Sequence, residues 1–107
     1  MQPDAIIVVD DGSTDETVPY LAQLPYVLTI AHPENLGVSA ARNSGIRVAK
    51  TPWIVLLDSD DWWLPEHLEC ISRHIATHPD CKIVQTRERW YRGGRRVNPK
   101  ARHIPPA

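Results

Sequence analysis

Short apolar runs alternate with helix-patterned stretches along this chain, and that alternation constrains its fold more than any other feature. Ala5–Val9 (AIIVV) is continuous and β-branched. It predicts a strand covered on both faces, as in a parallel sheet. Tyr26–Ala31 (YVLTIA), Trp53–Leu57 (WIVLL) and Lys82–Thr86 (KIVQT) repeat the signal. Between the first two, DDGSTDET puts Ser13 and Glu16 at capping-box spacing and Asp15 in a first turn. A helix is expected there through about Gln23, with Pro19 delaying its start. Val38–Lys50 reads as a second helix, with Val38, Ala41, Gly45, Val48 and Ala49 available for one face. Pro65 suits the first turn of a third, whose stripe Leu68, Ile71 and Ile75 ends before Pro79. Gly93–Gly94 between two β-compatible arms gives a hairpin. Strands alternating with helices predict an α/β layer fold with a largely parallel sheet. The organisation expected is a domain over residues 1–86, then a basic hairpin and loose tail over 87–107.

In such sheets ligands gather beyond the carboxyl ends of the strands. Asp10–Asp11 and Asp58–Asp61 each follow a strand directly, so parallel strands would put both acid clusters on one rim. Asp58, Asp60 and Asp61 crowd three carboxylates into four positions, and each raises its neighbours' cost of ionisation. Capping and turn formation account for one of them. A hard cation such as Mg²⁺ or Mn²⁺ accounts for all three. The spelling is not that of an EF-hand, because Trp62 stands at the fifth position and no glycine follows. No phosphate-binding G-x-x-x-x-G-K-[ST], no G-x-G-x-x-G and no G-x-S-x-G occurs. Asp10 and Asp11 read either as a strand end and turn before Gly12, or as carboxylates accepting a ligand N–H such as a uracil imide. Arg42 lies near the start of a helix that begins at the rim, where arginine suits planar or phosphate recognition.

Composition narrows the classes. The chain has 107 residues, 42% apolar, enough for one small domain. No apolar run approaches a membrane span, and the N-terminus lacks the basic start of a secretory leader. Cys70 and Cys81 make no disulfide framework, so a reducing cytoplasm is expected. Net charge is −1, but residues 1–86 hold twelve acids and five Lys/Arg while residues 87–107 hold one acid and seven Lys/Arg. Without interleaved stacking aromatics that basic tail reads as a solvated hairpin, and no nucleic-acid partner is expected. His67, Cys70, His74 and His78 fall on one helical stripe and read as half-buried packing rather than a zinc site. Trp53, Trp62, Trp63 and Trp90 likewise read mainly as packing.

Taken in order, IIVVDDGSTDET, NLGVSAARNSGI and WIVLLDSDDWWLPEHLE resemble the family 2 glycosyltransferases of the GT-A fold, over about residues 5–70. The resemblance implies a Rossmann-like three-layer sandwich with a mainly parallel sheet. It also implies inverting transfer of a sugar from a nucleotide-diphosphate sugar, UDP-sugar favoured, with Mn²⁺ or Mg²⁺. By motif position Asp11 would bind the nucleobase, with Asp10 and Ser13 beside it. Arg42 would contact the nucleotide end, Asp58 would lie near the ribose, and Asp60, assisted by Asp61, would hold the metal. Two parts of the family pattern have no counterpart here: an apolar strand before VVDDGS, and an acceptor-binding half with a general base. After Asp80 only Glu88 is acidic, so no base is assigned. The expectation is an incomplete fold, a fragment or truncated product covering the middle of the donor-binding half, poorly stable as a free chain. Other readings stay open: a nucleotide-sugar-binding module without catalysis, or a metal-dependent phosphohydrolase or nucleotidyltransferase. The acceptor (glycan, lipid or protein) and peripheral association of the full-length protein with the inner face of the membrane also stay open.

Overall fold

The computed structural model describes residues 1–86, 90–92 and 95–97. They fall into two units, Met1–Leu68 and the residues from Glu69 onward. The first unit runs β1 (Ile6–Asp11), α1 (Thr17–Leu21), β2 (Val27–His32), α2 (Val38–Val48). β1 and β2 pair in parallel, in register from Ile6↔Val27 to Asp11↔His32. Strand alternation places Ile7, Val9 and Asp11 on one face with Leu28, Ile30 and His32, and Ile6, Val8 and Asp10 on the other.

α2 covers the first face. A Cβ on Gly45 would meet Val9 Cγ2 at 3.4 Å and Ile7 Cγ2 at 4.0 Å. The helix approaches through small residues, with Ala40, Ala41, Ser44 and Gly45 partly covered, whereas Val38 and Val48 are exposed. α1 flanks the opposite face, where Val8, Tyr20 and Leu21 line one shallow hollow. Helix, sheet and helix therefore form the three layers expected of an α/β chain.

α1 is shorter than its sequence signals promise. Glu16 stands at its N-cap with no side-chain cap bond, and the Ser13–Glu16 capping box does not form. Instead the Ser13 N–H donates to Asp10 Oδ2 at 3.0 Å, and Asp15 accepts the Thr17 N–H and hydroxyl. These local bonds take the backbone donors that an earlier helix start would need. Pro19 sits in the first turn, where its missing N–H costs no intrahelical bond.

Two expected strands are absent. Trp53–Leu57 and Lys82–Thr86 carry no ladder. A strand exists only through hydrogen bonds to a neighbour, and no described strand runs beside either segment. Ile54, Val55, Leu56 and Leu57 are accordingly exposed, and Ile83 is 86% exposed. Among the described residues Leu21 is the one buried hydrophobe, joined by Asp10. So little burial leaves a small driving force against the entropy of ordering the chain.

α3 (His67–Thr77) follows a turn at residues 65–66, with the His67 N–H donating to the Leu64 carbonyl at 3.0 Å. Pro65 thus precedes the helix rather than opening it. Leu68, Ile71 and Ile75 are partly covered, as their spacing predicts. Of the histidine stripe, His67 is partly covered as expected, and the rest departs from the packing expectation. Cys70, His74 and His78 are exposed, and the His74 and His78 rings stack at 4.1 Å. Beyond α3, β3 (Trp90–Arg92) and β4 (Arg95–Val97) form the expected antiparallel hairpin, Trp90↔Val97 to Arg92↔Arg95. The Gly93–Gly94 turn, the packing of Trp90 and the tail beyond residue 97 lie outside the described residues. No helix among the described residues is long and apolar enough to cross a membrane.

Candidate functional site

Asp11 ends β1 where the chain leaves the sheet, and it is heavily engaged. Its Oδ1 accepts the His32 Nδ1–H at 2.8 Å and the Leu36 N–H at 2.9 Å. Its Oδ2 accepts the Gly37 N–H at 2.9 Å. His32 is the register partner of Asp11 at the end of β2. A carboxylate only accepts, so Nδ1 carries the proton. In the neutral ring Nε2 is then left to accept from the Ser44 hydroxyl of α2, at 2.8 Å. Three elements are thereby joined through one imidazole.

Those contacts hold the Asp11 carboxyl below its ordinary pKa, the His32 hydrogen bond first and the Leu36 N–H next, against an opposing effect of burial. A carboxylate depressed in the folded state adds stability above its unfolded pKa, and loses it as pH falls through the folded value. Unfolding midpoints should therefore drop between pH 5 and pH 2 at a slope that Asp11→Asn reduces. Asp15, held low by Thr17, and Glu69, held low by Arg73, supply the remainder. Denaturant titrations of both proteins at pH 7 and pH 3 check this; equal acid slopes would contradict it.

Asp10 is a neighbour of Asp11 in sequence but belongs to the opposite face. It is 6% exposed, and its Oδ2 fastens the turn through the Ser13 N–H. Ser13 itself is exposed.

The second cluster is formed by Asp58, Asp60 and Asp61, each offering a carboxylate oxygen within 4.8 Å of the others. The Asp61 N–H donates to the Asp58 carbonyl at 3.0 Å, closing a turn that gathers the three. Arg42 reaches from α2 and donates through Nη2 to both Asp58 oxygens, at 3.0 and 3.1 Å. Its guanidinium offsets part of the clustered negative charge. The donor set is all carboxylate oxygen and all exposed, which fits a hard dication that keeps several waters and needs few protein ligands. Trp62, next to the acids, is 95% exposed and packs in no core. Trp63 is partly covered and stacks on His67 at 4.8 Å.

Of the residues singled out from the sequence, Asp11 joins His32 and Ser44, Asp58, Asp60 and Asp61 gather with Arg42, and Asp10 stays apart with the Ser13 turn on the opposite face. α2 supplies a residue to each of the first two groups, Ser44 and Arg42. His32 and Ser44 escaped the sequence reading because HPEN looks only like a chain break. The available signal was register: His32 ends the second apolar run just as Asp11 ends the first.

A family model described as "Glycosyl transferase family 2" matches residues 1–105. EpsH of Bacillus subtilis, which carries a glycosyltransferase name, is 36% identical over 73% of this chain and 24% of its own length. YibD of Escherichia coli, also named as a glycosyltransferase, is 35% identical over 79% of this chain and 25% of its own. The succinoglycan biosynthesis protein ExoO of Rhizobium meliloti is 45% identical over 59% of this chain and 19% of its own. The chain spans about a fifth to a quarter of the length of these relatives. No solved structure gives a significant match.

Proposed function

The chain belongs to glycosyl transferase family 2, and from that premise we propose that Met1–Leu68 is the donor-binding part of an inverting enzyme using a nucleotide-diphosphate sugar, UDP-sugar favoured. The observation that carries this reading is the meeting of Asp58, Asp60 and Asp61 with Arg42, and a second carboxylate, Asp11, fixed by three hydrogen bonds at the end of β1. Asp11 accepts an N–H of the base, with the Asp10–Ser13 turn beside it. Arg42 and Asp58 meet the nucleotide, and the guanidinium exchanges its carboxylate partner for ligand oxygens of the same charge. Asp60 and Asp61 hold Mn²⁺ or Mg²⁺. When bound, the ion offsets charge developing on the leaving diphosphate. The general base and the acceptor belong to the whole protein. The name of ExoO favours a glycan acceptor, and nucleotide-sugar chemistry favours action on the cytoplasmic side.

Calorimetric titration of the chain with UDP, with and without Mn²⁺, tests this. Binding should tighten roughly tenfold or more with the metal, because the ion screens two like-charged partners from each other. Metal-independent binding, or none by a chain shown to be folded, would sink the reading. Phosphate release would move it to a phosphohydrolase.

A further inference from the structure

The Asp11 carboxylate is not free to turn. Of its two oxygens, among the described residues, Oδ1 accepts two hydrogen bonds and Oδ2 accepts one. A carboxylate oxygen has about two in-plane acceptor directions. Oδ1 is filled, and Oδ2 keeps a single direction open. Leu36 and Gly37 approach from the loop side. His32 approaches from the neighbouring strand, and its ring is itself fixed from behind by Ser44. The His32 side chain is 10% exposed and that of Asp11 20%, so the imidazole is held inside the layer while the carboxylate edge reaches the rim.

We propose that His32 is a positioning residue for base selection: with Ser44 behind it, it locks Asp11 so that one Oδ2 lone pair is offered to a ring N–H of the nucleobase. This rests on the nucleotide-site reading above. The chemistry selected is a base with a ring N–H at its pairing edge, such as the imide of uracil. A base presenting a ring acceptor there meets a fixed lone pair and is repelled. Without His32 the carboxylate gains rotational freedom and a second open direction on Oδ1. It then contacts many ligand edges and prefers none. Outer partners of this kind set the orientation of the group that touches ligand without touching it themselves.

The test compares UDP with N3-methyl-UDP, which lacks the imide N–H, by calorimetry in Mn²⁺ on the native chain, His32→Leu, His32→Asn and Ser44→Ala. The native chain should prefer UDP by roughly tenfold or more, the scale at which an unmade hydrogen bond to a charged group is felt. His32→Leu should bring the preference to near one. His32→Asn, whose amide can donate in place of Nδ1–H, should restore most of it. A merely structural role would weaken both ligands alike and leave the ratio unchanged; an unchanged ratio in folded His32→Leu overturns the proposal and leaves the nucleotide site standing. A native chain that binds both ligands equally also overturns it, because Asp11 then does not read the base. Native chain that binds neither overturns the nucleotide-site reading and the proposal with it. Should His32→Leu fail to fold, Ser44→Ala decides: a lowered ratio supports the lock, the native ratio removes it.

Discussion

Asp60→Ala should lower the affinity of the chain for UDP in Mn²⁺ by about a hundredfold, and leave the weak metal-free binding nearly untouched. Asp58 is committed to Arg42 by two hydrogen bonds, and in the proposed site Asp60, assisted by Asp61, holds the metal. An ion that binds through one or two protein carboxylates and otherwise through water and phosphate loses much of its anchorage when one is deleted. Stability should move the other way or not at all. The cluster is exposed, and removing one of three adjacent like charges relieves repulsion. Binding lost with folding intact is thus the signature of a ligand site. Unfolding at the same substitution would instead make the acids structural. Titration and thermal unfolding of the same sample separate the two.

How much of this was legible in the sequence follows the physics of each element. β1 and β2 were read from continuous β-branched runs, because their pairing is with each other and both partners lie in the chain. Trp53–Leu57 has the most apolar spelling of all and yet forms no strand. Apolarity states a demand for cover, but a ladder needs a neighbour, and composition cannot show whether one is present. The acid cluster was visible because its members are near neighbours in sequence, so one four-residue turn suffices to gather them. The Asp11–His32–Ser44 chain was not, because it depends on strand register and on the face of α2 that meets the sheet. Capping spacing misled at Ser13–Glu16, where the turn's own side-chain bonds win over a longer helix. The histidine stripe misled for a related reason: its spacing fixes a helix face, but not whether anything covers that face.

Gly12→Ala should be the most destabilising single substitution in the first unit, at about 3–4 kcal/mol, whereas Gly37→Ala should cost about 1 kcal/mol. Both glycines have positive φ, +81° and +98°, so both share the conformational penalty of a side chain in that region. They differ in what the added methyl would meet. At Gly37 nothing lies within 4 Å. At Gly12 a Cβ would sit 2.5 Å from the Glu34 carbonyl carbon and 2.6 Å from the Asn35 nitrogen. These are backbone atoms, which cannot swing aside as a flexible side-chain tip would. Relief requires the segment at residues 34–35 to retreat from the β1 exit. That segment leads directly into Leu36 and Gly37, whose N–H groups Asp11 accepts, so the same retreat loosens the carboxylate from its donors. A domain with a typical total stability of about 5–15 kcal/mol would lose a third or more of it at the lower end of that range. Denaturant unfolding of the two alanine variants at pH 7 checks the contrast. Similar costs would show that positive φ alone matters, and that the close approach of the two rim loops does not set the stability of this site.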